Sequence, residues 1–118
     1  MADNRQENVA LCGASSYVQK YFFNEEFSRL PEEVKKELQA MCVLFTEDVG
    51  GVLVMEFTPE GKLEFRVEAE DNDYLFDEIG SGLKIRQYQR EKAELLEALE
   101  AYYKYFILPS RVSKRKER

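Results

Sequence analysis

Between Pro31 and Val49 the apolar residues Val34, Leu38, Met41, Cys42 and Phe45 fall at i, i+4, i+7, i+8 and i+11. This single stripe predicts a helix with one buried face. Pro31 suits its first position, where a missing N–H costs nothing, and the proline pushes Leu30 out of the helical region. Glu32 and Glu33 then sit at the positive end of the helix dipole. After Gly50 and Gly51 the period changes to two. In "KLEFRVEA", Leu63, Phe65, Val67 and Ala69 face one side and Lys62, Glu64, Arg66 and Glu68 the other. That alternation predicts a strand with a core face and a wet face. The preceding "VLVMEF" puts Leu53, Met55 and Phe57 on one face and Val52, Val54 and Glu56 on the other, apolar on both sides for most of its length. Pro59 and Gly61 between the strands predict a tight turn and hence a hairpin. A lone hairpin is marginal in water, so helices must cover it or a second hairpin must extend it.

The flanking segments are less regular. Residues 1–13 read as a flexible arm. "SSYVQKYFFN" offers Ser15 or Ser16 as a cap and Tyr17, Val18, Tyr21 and Phe22 at helical spacing, which predicts a short helix ending at Asn24. Asn72 or Asp73 would cap a short helix holding Leu75, Phe76 and Ile79, which Gly80 and Gly82 should interrupt. A last helix, from about Leu83 to Ile107, carries Ile85, Tyr88, Lys92, Leu95, Leu99, Tyr102 and Phe106 at alternating spacings of three and four, a heptad-like seam broken by Lys92. Pro109 should stop it. The expected architecture is α+β: two N-terminal helices, a central antiparallel β-hairpin, then one short and one long C-terminal helix. Residues 14–108 form one domain and 109–118 a basic flexible tail.

Composition narrows the chemistry. The 118 residues contain no histidine, so Ser-His-Asp and Cys-His catalysis and His-containing zinc sites are excluded. Acid–base work would fall to carboxylates, Lys or Tyr. Cys12 and Cys42 form no C-x-x-C pair; Cys42 belongs to the apolar helical face, Cys12 to the arm, and no disulfide is expected. No apolar run approaches the ~20 residues of a membrane helix. "MADNRQENVALCGASS" has no secretory pattern, and Ala2 argues against myristoylation. A cytoplasmic location without membrane contact is therefore expected.

Glycine, acidic, aromatic and basic clusters each admit a plain structural alternative. Gly50 and Gly51 follow a helix and precede a strand, the reverse of a phosphate loop, so Gly50 is read as a left-handed helix terminator and Gly51 as the opening of the turn. The acidic run from Glu68 to Glu78 lacks EF-hand spacing and reads as a solvated turn with a helix cap. "GSGLKIR" could cradle an anion with Ser81, Lys84 and Arg86, but a plain helix break accounts for it. The aromatics Tyr102, Tyr103, Tyr105 and Phe106 circle the helix, which suits either a core alone or a core together with an interface. Tyr88, Leu95, Leu99, Tyr102, Tyr103 and Phe106 are the candidate interface. The net charge is −6, yet "RVSKRKER" is basic. Arg111, Lys114, Arg115, Lys116 and Arg118 are thus candidate nucleic-acid contacts, with Lys84, Arg86 and Arg90 as helpers.

From "MCVLFTEDVGGVLVMEF" through "YLFDEIGSGLKIRQYQREKAELLEALEAYYKYF" the chain resembles a family of small uncharacterised proteins, a domain of unknown function, from Clostridia-type bacteria. The resemblance covers about Tyr17 to Phe106. It implies a cytoplasmic bacterial protein and carries no functional residues, since the family has no assigned activity. The expectation is a non-enzymatic interaction domain without cofactor or metal, acting as a homodimer or with a protein partner. The alternative is a nucleic-acid-associated protein using the basic tail.

Overall fold

The computed structural model describes residues 7–116. It is α+β, built on a four-stranded antiparallel sheet in the order β2-β1-β3-β4. The strands are β1 Val9–Ser15, β2 Lys20–Phe23, β3 Val52–Phe57 and β4 Leu63–Glu68. The helices are α1 Glu32–Val49, α2 Glu78–Glu91, α3 Ala93–Tyr102 and α4 Leu108–Lys116.

The hairpin of β3 and β4 stands as expected, with Leu53 opposite Val67, Met55 opposite Phe65 and Phe57 opposite Leu63. The first N-terminal helix does not. A second hairpin takes its place: β1 lies beside β3 in the middle of the sheet, and β2 forms an edge. "VALCGA" is a short, almost wholly apolar run, and such a run suits a strand buried on both faces. Residues 9–13, expected in a loose arm, are thus central sheet; residues 1–6 lie outside the described residues. Tyr21, Phe22 and Phe23 favour a pleated surface, and Ser15 Oγ accepts the Tyr17 N–H at 3.1 Å to turn the chain. Gln19, at φ 54°, completes the reversal. Leu11 sits at a bulge that shifts the register between Ala10 and Cys12.

α1 begins one residue later than expected, at Glu32, and buries Leu38, Met41, Cys42, Phe45 and Val49 against β1 and β3. Cys12 meets this helix from the sheet. Its sulfur lies 3.7 Å from that of Cys42, and both are free and wholly buried. The neighbouring Cys12 sulfur and burial push the Cys42 thiol pKa far up, so it is not a nucleophile. At the far end of the core Phe57 stacks on Tyr103 at 4.3 Å and on Phe27 at 5.6 Å.

The C-terminal helices depart from expectation in three ways. Gly80 and Gly82 lie inside α2, and no break occurs there. The bend falls instead at Lys92 (φ −108°, ψ 23°), where the ladder still runs from Lys92 N–H to Tyr88 and from Leu96 N–H to Lys92. The lysine that interrupts the seam is held by Glu37 on α1 at 2.7 Å. Finally, Pro109 does not stop the helix. A π turn over Tyr103–Ile107, in which Leu108 N–H reaches Tyr103, opens the ladder just before the proline and lets α4 follow. Residues 109–116, expected as loose tail, are therefore helical.

Candidate interaction surface

The twin glycines do more than end a helix. Gly50 (φ 85°, ψ −170°) caps α1 with its N–H on Thr46 in a conformation open essentially to glycine alone. Gly51 has φ 75°, and a Cβ there would stand 2.7 Å from the Glu68 carbonyl oxygen and 2.9 Å from the Phe76 ring. The missing side chain is thus the seat of Phe76. Three hydrogen bonds fix the same loop. Tyr17 donates its hydroxyl to Asp73 at 2.6 Å and accepts the Glu70 N–H at 2.9 Å, and the Asp77 N–H bonds Val49. The hydrogen bond to Asp73 raises the Tyr17 pKa, because the neutral phenol is the donor.

α2 starts at Glu78 rather than at residue 73. Asp77 is the cap and accepts the Gly80 N–H at 2.8 Å. A Cβ on Gly80 would lie 2.3 Å from the Asp77 carboxylate, so this glycine makes room for the cap. The helix is oriented by its other face. Lys84 pairs with Asp48 at 2.6 Å, and the Tyr88 hydroxyl donates to the Met41 carbonyl at 3.0 Å. With Ser81 and Tyr88 turned inward, the 100° step of a helix turns Ile79, Leu83, Arg86 and Arg90 outward.

A pinned loop and an oriented helix together leave four large apolar side chains in water. Tyr74 is 91 % exposed, Leu75 93 %, Ile79 79 % and Leu83 58 %. At on the order of 150–200 Å² for a large apolar side chain, they present roughly 500 Å² in sum, comparable to the largest apolar patch of a typical monomer, which is often functional. The anchors on either side of Tyr74 and Leu75 exclude a simple fraying loop as the cause of that exposure.

Sequence-predicted site residues fall elsewhere. Tyr88, Leu99 and Tyr103 are buried in the chain's own core, and Leu95 and Tyr102 pack partly against it. The buried line runs through Leu99, Tyr103 and Ile107 rather than Leu99, Tyr102 and Phe106, because Tyr103 is drawn onto Phe57. Phe106 alone of the six is exposed. Arg111 bonds Glu26 at 2.7 Å. Lys114, Arg115 and Lys116 fall on α4, and Arg118 lies outside the described residues. The anion cradle expected as an option at "GSGLKIR" is pre-empted by Asp77 at the helix start and by Asp48 on Lys84. Oxygens of the acidic run are spent on turns, Asp73 on Tyr17 and Leu75, Asp77 on Gly80. Among the described residues no group of three or more His, Cys, Asp or Glu gathers to hold a metal, and no helix is long and apolar enough to cross a membrane.

A cleft of about 670 Å³ lies between α1 and the first hairpin. Lys20, Tyr21, Gln39, Thr46 and Glu47 are among the residues that line it. Desolvation pushes the Tyr21 phenol pKa far up, away from any role as a base near neutrality.

The chain belongs to the family of unknown function DUF6145, whose pattern matches residues 8–111, from just before β1 into the start of α4. No curated protein and no solved structure matches it.

Proposed function

We propose that the protein is a non-enzymatic interaction domain that docks a protein partner through Tyr74, Leu75, Ile79 and Leu83. The observation that carries this reading is their exposure on a loop and helix that are themselves firmly held. Arg86 and Arg90 continue the same face of α2. A fitting partner offers an apolar ridge or helix with carboxylates at one end. The absence of histidine from the sequence supports a role without histidine-dependent catalysis.

The alternative, a nucleic-acid contact through Arg111, Lys114, Arg115, Lys116 and Arg118, draws some support from α4, which gathers most of these positions on two helical turns. The Arg111 pairing with Glu26 and the net charge of −6 weigh against it.

A photoreactive residue at Leu75 of the full chain, irradiated in extract of the native cell, tests the reading. Discrete protein adducts are expected that vanish when Ile79→Glu and Leu83→Glu are added. Adducts indistinguishable from those of a probe at the exposed Glu97 of α3 would refute it. Nucleic-acid adducts that fade with salt would favour the alternative.

A further inference from the structure

One face of the sheet packs on the helices. Among the described residues, no helix buries the other. Its cross-strand registers define a small grid. One row reads Lys20, Ser15, Val52, Glu68 from β2 to β4, and the next reads Phe22, Gly13, Val54, Arg66. Lys20, Phe22, Arg66 and Glu68 are exposed, and Val52 and Val54 are half-buried. Gly13 leaves an open apolar hollow of about 290 Å³, walled by Val18, Phe22, Val52 and Val54. Each row thus runs from one edge to the other with a bulky residue beside a small one and with opposite character at its ends.

That order is self-complementary. Turning a second copy about a two-fold axis parallel to the strands, between β1 and β3, reverses each row. Lys20 then faces the partner's Glu68, Ser15 the partner's Val52, Gly13 the partner's Val54 and Phe22 the partner's Arg66. The pairings are cation on carboxylate, small on large, and ring on guanidinium, which can stack by its face while its edge keeps its carboxylates. Arg66 already holds Glu56 at 3.2 Å and contacts Glu68 along its edge. Glu56, bonded also by Asn8 at 3.0 Å, is neutralised within its own copy, and Glu64 lies at the rim. The other in-plane axis, across the strands, sets Arg66 on the partner's Arg66 if it passes through that row and Arg66 on the partner's Glu68 if it passes between the rows; neither brings Lys20 onto the partner's Glu68, so the Lys20 and Glu68 variants separate the two arrangements.

We propose that this open face binds a second copy of the chain in that two-fold arrangement. The inference stands apart from the strip at residues 74–83 and uses other side chains. Strands about 4.8 Å apart and about 3.3 Å of rise per residue give a footprint of only about 300–400 Å² per copy. The dimer is therefore a weak one, on the scale of transient contacts.

Sedimentation equilibrium of the full chain from about 5 to 500 µM reads it, a range that brackets a micromolar Kd. The wild type should dimerise. Lys20→Glu and Glu68→Lys should each raise Kd about tenfold or more, and the combined variant should return to within about threefold, since each partner then regains its opposite charge. Within one copy these residues are three strand spacings apart, about 14 Å, so their coupling cannot be intramolecular. Far-UV circular dichroism confirms that the exposed substitutions leave the fold intact. A monomer throughout, a Kd indifferent to Lys20→Glu, or two weakened single variants without rescue would each overturn the proposal. A dimer lost on Ile79→Glu instead would also overturn it, and would assign self-association to the strip.

Discussion

Substituting alanine at two glycines should move stability in opposite directions. Gly51→Ala places a side chain at φ 75°, which costs about 1–2 kcal/mol in the left-handed region. Its Cβ would also stand 2.7 Å from the Glu68 carbonyl and 2.9 Å from the Phe76 ring; relieving such overpacking costs about 1–3 kcal/mol. Restricting the unfolded chain returns about 0.4–1 kcal/mol. A net loss of about 1–4.5 kcal/mol follows. Gly82→Ala adds a Cβ that meets nothing within 4 Å inside α2, so helix propensity alone acts and stability should rise by about 0.5–1 kcal/mol. Urea unfolding followed by far-UV circular dichroism measures both. Adding Phe76→Ala to Gly51→Ala should recover part of the combined loss, because the ring is one of the two obstacles, while the carbonyl clash and the backbone strain remain. A Gly51→Ala variant within about 0.5 kcal/mol of wild type would refute the seat assigned to Phe76. Strict additivity with Phe76→Ala would refute it too.

Two further outcomes follow from the packing and the charges. Leu99→Glu buries a carboxylate at a site 3 % exposed and should unfold the chain, at a cost above about 4 kcal/mol, whereas Ile79→Glu should stay within about 0.5 kcal/mol; a folded Leu99→Glu protein that merely loses association would return that helix to the interface. With no histidine, the urea midpoint should be level from about pH 6 to 9 and fall above about pH 10. Hydrogen bonds to Asp48, Glu37 and Asp73 raise the pKa values of Lys84, Lys92 and Tyr17 in the fold, so their contribution is complete below the unfolded values and is lost as pH rises through the folded ones. A midpoint that drops between about pH 6 and 8 would contradict this assignment.

The elements with many repeats of one period were legible. α1 showed five apolar positions on one stripe, and β4 alternated without fault, so both stand where the pattern put them. The first hairpin was not, because Tyr17, Val18, Tyr21 and Phe22 satisfy a helical spacing over too few residues to exclude a pleated one. The apolar run before it was the available signal: "VALCGA" fits a central strand better than an arm. Pairing of β1 with β3 joins residues some forty positions apart, and no local pattern announces such a contact. The turn at Pro109 was misread for a different reason. Proline forbids an ordinary helical hydrogen bond, but a π turn one step upstream removes the conflict without ending the helix.

The candidate surface was hidden by the same ambiguity in a sharper form. Leu75, Phe76 and Ile79 share a helical face only if the helix already exists at residue 75. Asp77 decides otherwise by taking the Gly80 N–H, which starts the helix three residues later and leaves Leu75 on the loop. Phe76 then goes inward onto Gly51, and its neighbours go outward. Of the apolar residues in this stretch the fold uses Phe76; it makes little use of Tyr74, Leu75, Ile79 or Leu83, which remain mostly in water. Truncating Tyr74 or Leu75 should therefore cost the domain almost nothing, and truncating Ile79 or the less exposed Leu83 only a little more, since side chains already hydrated in the native state give up little buried area. On the function proposed above, surface that contributes so little to folding, yet is held in place by a tyrosine, a seated ring and a helix cap, would find its energetic use in binding a partner.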